Sequence, residues 1–283
     1  MARNTKALVT LLIGEPAYRE EWERQVEPTW RQYAARHGYD IVAIDRHIDD
    51  SPRGRERARN WQKCLILEHP DVQPYDDVVW LDADILINFL AAPCIVEANA
   101  RRGVGLVSYG TLYDTPHIHA ALVERQARLG DPEATIPTIA DIYRAAGLSP
   151  APTLANTGVM VLYRPRHAAA LRHVYDTYEE NPRTAKEEFP LCHYLYGNGL
   201  AADLDRRFNW PWLYHVIERY PFLLNDAYRN DRRLVALCVN SAWANSWFLH
   251  FTGDQPATRH HAVLVMTWAA LGDAVRKIID NLG

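Results

Sequence analysis

The segment Val78-Val79-Trp80-Leu81-Asp82-Ala83-Asp84 constrains this chain more than any other. Four apolar residues lead straight into two carboxylates, one residue apart. A run apolar on both faces reads as a strand buried inside a sheet. Side chains alternate faces along an extended backbone, so Asp82 and Asp84 point the same way if the strand persists through residues 77–88.

The neighbouring segments say what kind of sheet holds that strand. Residues 7–14 are an apolar run that ends at Gly14-Glu15-Pro16 and read as a first strand. Residues 18–37 have helical spacing, with Trp22, Val26, Trp30 and Tyr33 on one side and Gly38 as C-cap. Residues 39–45 form a strand ending at Asp45, 46–57 a polar loop, 59–68 a helix before Pro70, and 104–109 another strand. This alternation predicts right-handed crossovers and an α/β fold: a Rossmann-type, mostly parallel sheet flanked by helices. Ligands of such sheets bind outside the carboxyl ends of the strands, where the two aspartates lie.

The second half is less regular. Helices are expected over 120–129, 139–146, 166–180 and 187–196, and strands over 156–163 and 247–251. Between them run a proline-containing loop, 130–152, and an aromatic segment, 208–214. A helix over 261–282 closes the chain as a packing or dimer element. At 283 residues the expectation is a single domain (1–283), with a nucleotide-binding half over 1–110, an acceptor and catalytic half over 111–260, and the C-terminal helix over 261–283.

Composition excludes some functions. A net charge of −4 with mixed signs gives no nucleic-acid footprint. The four cysteines lie far apart with no CxxC pair, which argues against a cysteine metal site; reduced thiols are the simpler reading and two disulfides the alternative. No apolar stretch approaches the roughly 18 residues of a membrane span. The expected location is cytoplasmic, with a peripheral membrane contact left open.

Two carboxylates on one side suit Mn²⁺ or Mg²⁺, which also bind phosphate oxygens. Such an ion neutralises a diphosphate leaving group. Alternatively, the pair are strand-end aspartates facing solvent.

Four pieces, in order, resemble the GT-A-fold retaining glycosyltransferases, the groups that include glycogenin, bacterial lipopolysaccharide galactosyltransferases and plant xylosyltransferases. They are Lys63-Cys64-Leu65-Ile66-Leu67, Asp77 through Ile85, Asn156-Thr157-Gly158-Val159-Met160-Val161, and Leu249-His250-Phe251-Thr252-Gly253. The resemblance implies a metal-dependent transfer of sugar from a nucleotide diphosphate sugar, UDP-sugar first, to an acceptor hydroxyl. The acceptor would be a saccharide, a glycolipid or a small metabolite.

It further implies Asp82, Asp84 and His250 as metal ligands, with Asp82 and Gly253 also lining the donor site. Lys63 would reach the donor, with Arg59 on the same helical face. Thr10 and Tyr18 match the nucleotide-base pocket, where Tyr18 stacks on the base or only packs its helix; Asp45 would bond ribose or base. Asn156 would face donor sugar or acceptor. Glu187 and Glu188 stand where the family carries Asp-Gln, and Glu188 either meets the anomeric carbon or is a surface charge. The family's phosphate-binding lysine after Gly253 is missing, with Arg259 or His260 as substitutes. His117 and His119 suit a loop near the acceptor, and Trp210 and Trp212 either stack on a sugar or pack a loop. Competing readings are a haloacid dehalogenase-type phosphatase, a nucleotidyltransferase and an inactive sugar-nucleotide-binding protein. The phosphatase normally carries its Asp-x-Asp on the first strand, and the nucleotidyltransferase needs a glycine-rich loop that 12–16 lacks.

Overall fold

A computed structural model describes residues 4–109, 120, 123–124, 137–181 and 186–252. The segments expected at 120–129 and 261–282, and with them His117, His119, Gly253, Arg259, His260 and the dimer element, fall wholly or largely outside those residues.

The larger sheet has six strands in the order β2-β1-β3-β6-β5-β7. These are β1 (Lys6–Leu11), β2 (Tyr39–Ile44), β3 (Asp77–Leu81), β5 (Val104–Ser108), β6 (Ala155–Tyr163) and β7 (Ala201–Asp203). Strand β1 pairs in parallel with both β2 and β3, and β5 with β7, while β6 runs antiparallel between β3 and β5. The mostly parallel α/β sheet read from the sequence is therefore present, with β6 as the reversed strand. Both faces are covered. Leu8, Val79, Leu81, Val159 and Val161 point into one apolar cluster, and Ala7, Val9, Val78, Trp80, Met160 and Leu162 into the other. Strict alternation on three neighbouring strands is why these runs are apolar at every position.

The helices that cover the sheet are α1 (Pro16–Gln25), α2 (Glu27–His37), α3 (Pro52–Glu56), α4 (Ile95–Asn99), α5 (Ile139–Ala145), α6 (Arg164–Thr177), α7 (Glu188–Gly197), α8 (Trp212–Arg219), α9 (Asp226–Arg229) and α10 (Arg232–Asn245). Three expectations change. The helix over 18–37 is two helices that meet at Val26, because Pro28 has no N–H to continue the first one. The loop over 46–57 contains α3, capped by the Ser51 hydroxyl. Residues Arg59–Glu68 form a 3₁₀ helix, not an α-helix. At three residues per turn, positions four apart are about 120° apart, so Arg59 and Lys63 do not share a face.

The fourth change matters most. The strand over 77–88 does not persist. It breaks at a turn over residues 82–84 and resumes as β4 (Ile85–Ile87) in a second sheet, β4-β9-β8, with β8 at Trp210–Pro211 and β9 at Phe248–His250. Here Ile85 stands opposite His250, and His250 opposite Pro211. The outer edge of β4 is closed by α2: Trp30 Nε1 donates to the Ile85 carbonyl (2.8 Å), and Thr29 Oγ1 accepts from Ile87 N–H (3.2 Å). These bonds satisfy edge groups that a buried strand cannot leave open.

Trp30 is fully buried and supplies one of those bonds. Trp30→Ala is expected to lower the unfolding free energy in urea by about 3–5 kcal/mol. A loss under about 1 kcal/mol would show that β4 is held by something else.

Candidate active site at the end of β3

The turn over 82–84 brings two carboxylates to one imidazole. Backbone bonds fix it on both sides: Asp82 N–H donates to the Gly158 carbonyl (2.8 Å), and Phe251 N–H donates to the Asp84 carbonyl (3.1 Å). Ligand atoms of Asp82, Asp84 and His250 all lie within 4.8 Å of one another. His250 Nε2 is 3.2 Å from Asp84 Oδ1 and 3.8 Å from Asp82 Oδ2.

The rest of each side chain is already committed. Asp82 Oδ1 accepts from Trp80 Nε1 (3.0 Å) and Lys63 Nζ (3.3 Å), which leaves Oδ2 toward the imidazole. Among the described residues, buried Asp84 Oδ1 faces only the His250 Nε2 and accepts from no other group. His250 is buried, and its Nδ1 faces Asn209 Oδ1 at 2.8 Å. Asn209 Nδ2 in turn donates to the carbonyl (3.1 Å) and side-chain oxygen (3.0 Å) of Asn156. With both Asn156 oxygens on its nitrogen, Asn209 can only accept from the imidazole, so Nδ1 carries a proton and Nε2 faces the carboxylates. Gly158 makes room: a Cβ there would stand 2.2 Å from His250 Cε1.

This set fits a divalent cation. Mg²⁺–oxygen bonds of about 2.0–2.1 Å put opposed ligands about 4.2 Å apart, and the separations of 3.2 and 3.8 Å fall below that. The charges agree. The carboxyl groups of Asp82, Asp84 and Glu187 outnumber the one ammonium, Lys63, that is packed among them. The same field acts on His250: burial pushes its pKa down, but Asp84 and then Asp82 pull it up, and the net shift is upward. The point between imidazole and carboxylates attracts positive charge.

Lys63 lies beneath this point. Its ammonium is 2.8 Å from Glu187 Oε1 and 3.3 Å from Asp82 Oδ1, with Thr157 Oγ1 and carbonyl each at 3.5 Å. Thr157 Oγ1 donates to the same Glu187 oxygen (2.8 Å). Burial disfavours the ammonium, yet the Asp82 and Glu187 carboxylates outweigh it and the pKa rises. Glu188, the next residue, is half-buried at the start of α7 and accepts from the Thr157 backbone N–H. Burial pushes its pKa up to about 7.

The other residues singled out from sequence scatter around this centre. Tyr18 lines a small cleft with Trp22, Gln25, Ala83, Asp84 and Phe251. Thr10 is fully buried inside β1, its hydroxyl without a partner. Asp45 is exposed and paired to Arg19 at 3.0 Å. Arg59 is exposed and donates to the Ile13 carbonyl beside Gly14. Asn156 donates to Tyr109 Oη (2.7 Å) and accepts from Gly158 N–H (2.9 Å) and Asn209, so its amide braces the loop. Trp210 and Trp212 are 3% and 5% exposed: they pack, and neither offers a free face to a sugar. Sequence reasoning missed Asn209 and the Thr157 hydroxyl. The signal for Asn209 was available, as a lone amide inside the apolar run 208–213.

No protein-family model and no curated protein matches the chain. Solved structures do. A glycosyltransferase involved in the glycosylation of the major capsid of PBCV-1 is similar at 11% identity and a TM-score of 0.52, over 90% of this chain and 98% of that one. The galactosyltransferase LgtC, solved with donor and acceptor sugar analogs, is similar at 12% identity and 0.48, over 93% and 95%. The glycosyltransferase GlyE of Streptococcus pneumoniae TIGR4 is similar at 11% and 0.45; the match spans 95% of this chain and 64% of that one. The first of these carries the fold assignment: the chain has the GT-A-like architecture that the sequence resemblance implies.

The Glu188 shift has a sign that can be tested. A free glutamate titrates near 4.5, so between pH 4.5 and 7 the folded chain holds a proton that the unfolded chain has lost. Stability therefore falls as pH rises through that window and stays lowered above it. Glu188→Gln removes the penalty. Its advantage over the wild type, read by denaturant unfolding, should be absent near pH 4.5 and grow to about 1–3 kcal/mol above pH 7. A difference independent of pH would mean that Glu188 titrates normally.

Proposed function

We propose that the chain is a metal-dependent glycosyltransferase that moves a sugar from a nucleotide diphosphate donor, a UDP-sugar, to an acceptor hydroxyl with retention of configuration. One observation carries the reading. In a fold shared with a glycosyltransferase, two carboxylates and a buried imidazole converge at the carboxyl end of β3, their ligand atoms all within 4.8 Å of one another.

Asp82, Asp84 and His250 would hold Mn²⁺ or Mg²⁺, which when bound supplies Lewis-acid stabilisation to the leaving diphosphate. The remaining roles belong to side chains. Tyr18, in the cleft beside Asp84, is suited to stack on the base, with Thr10, Asp45 and Arg59 around the nucleotide end and Gly253 beyond the described residues. Lys63 offsets the carboxylates, so the site is not left with more negative charge than one divalent ion and a diphosphate can share. Glu187 holds Lys63 in place. Glu188, with a carboxyl that changes charge near neutrality, is suited to face the positive charge that develops at the anomeric carbon, while Asn156 shapes the floor beneath it. The acceptor is a saccharide, a glycolipid or a small metabolite. No helix among the described residues is long and apolar enough to cross a membrane, in keeping with the proposal that the chain acts in the cytoplasm, at most peripherally at a membrane.

Thermal melting with a panel of nucleotide sugars, with and without Mn²⁺, tests the reading. The true donor at about 100 times its dissociation constant should add about 2.7 kcal/mol of stability, and only with metal present. Asp84→Ala should remove that dependence. If no nucleotide sugar shifts the melt under any metal condition, the donor site is wrong and phosphatase chemistry comes first.

A further inference from the structure

We infer that Asn209 is a positioning residue that locks the His250 ring and its tautomer, so that the Nε2 lone pair is presented between Asp82 and Asp84. The inference rests on the metal reading above and deepens it, because it names what makes the third ligand competent before any ion arrives.

The argument starts from what a buried imidazole can do. A neutral imidazole carries one proton on either nitrogen, and the hydrogen bond made by one nitrogen decides what the other offers. His250 is 1% exposed, so water does not make that choice. Among the described residues, the side-chain partner of its Nδ1 is Asn209 Oδ1, at 2.8 Å. Asn209 is itself 1% exposed, and its amide cannot flip without turning an oxygen toward the two Asn156 oxygens that its nitrogen now meets at 3.0 and 3.1 Å. The Asn156 amide is fixed in the same way: its oxygen accepts from Gly158 N–H and its nitrogen donates to Tyr109 Oη. Each link has one orientation, and the chain of amides ends on Nδ1–H.

Ring position follows from the same contacts. Gly158 lies against one side of the imidazole, and β8, which begins right after Asn209, pairs with β9 beside it. Asn209 therefore sits at a fixed distance from His250 on the neighbouring strand. A ligand histidine whose second nitrogen is held by an oriented oxygen loses affinity for its ion, typically about 10–100-fold, when that oxygen is removed.

Two measurements test this. The first uses the unmutated protein. Long-range ¹H–¹⁵N correlation with Mg²⁺ present, the signal identified by its loss in His250→Gln, should show a proton on Nδ1 and none on Nε2 of His250. A bare Nδ1 overturns the inference. The second compares Mn²⁺ affinity by electron paramagnetic resonance. Asn209→Leu should weaken binding about 10–100-fold. Asn209→Gln, which keeps an amide oxygen for Nδ1–H and an amide N–H for Asn156, should retain more of the affinity than Asn209→Leu. A merely structural role would lower the melting temperature of both variants and leave Mn²⁺ affinity unchanged, which also overturns it. The two readings fail separately. A wild type that binds no Mn²⁺ sinks the metal site itself, whereas wild-type binding matched by Asn209→Leu sinks only the role of Asn209.

Discussion

The structure depends on keeping Asp82 and Asp84 together. Like charges a few ångströms apart repel, and in a half-buried site the repulsion is stronger than in water. A straight strand would relieve it by leaving both side chains free to splay toward solvent. This chain instead turns at residues 82–84 and hands the polypeptide from one sheet to another, so both backbone flanks are pinned by Gly158 and Phe251. Part of the repulsion is then offset on Asp82, by Trp80 Nε1 and Lys63, and the space between the two aspartates and His250 Nε2 is left to a cation. The small second sheet exists to deliver His250, and α2 exists where it does to close the edge of that sheet.

Burying Lys63 would be costly alone. Desolvation of an ammonium costs several kcal/mol, and removing its partner would leave that cost uncompensated. Glu187 and the Thr157 hydroxyl supply the compensation from β6 and the start of α7, elements on the far side of the β3 strand end. Residues 63, 82, 157 and 187 are thus one electrostatic unit drawn from four segments. That unit ties β3 and the segment before it to β6 and the start of α7.

Much of this was legible in the sequence, for physical reasons that can be named. Strands β1, β2, β3, β5 and β6 were readable because sheets covered on both faces need apolar residues at every position. Gly38 was readable as a helix end because its left-handed backbone (φ 71°) suits glycine. The aspartate pair stood out because charge at the end of such a run is expensive unless it is used. The turn at 82–84 was not legible, since alternation in an unbroken strand gives the same side-chain convergence by a different route. The 3₁₀ character of Arg59–Glu68 was hidden as well: its composition suits either helix, and tertiary contacts decide. Strand β7 escaped because it has only three residues, whereas α10 was legible and missed: Val235, Cys238, Val239, Ala242 and Trp243 recur at helical spacing behind the Asp231 cap.

The two neighbouring glutamates show why a motif alone cannot assign chemistry. Glu187 and Glu188 are adjacent in sequence and identical in type, and nothing in the sequence distinguishes their roles. Their surroundings separate them. Glu187 turns toward Lys63 and Thr157 Oγ1 and serves as the counterion of a buried cation. Glu188 turns the other way, where burial dominates, the neighbouring Glu187 charge opposes ionisation, and Lys186 and Lys63 only partly offset both. One carboxylate is fixed as structure, and the other is left to change charge near neutral pH. Such a division of labour between paired carboxylates is how a single fold holds a permanent charge and a titrating one a few ångströms apart.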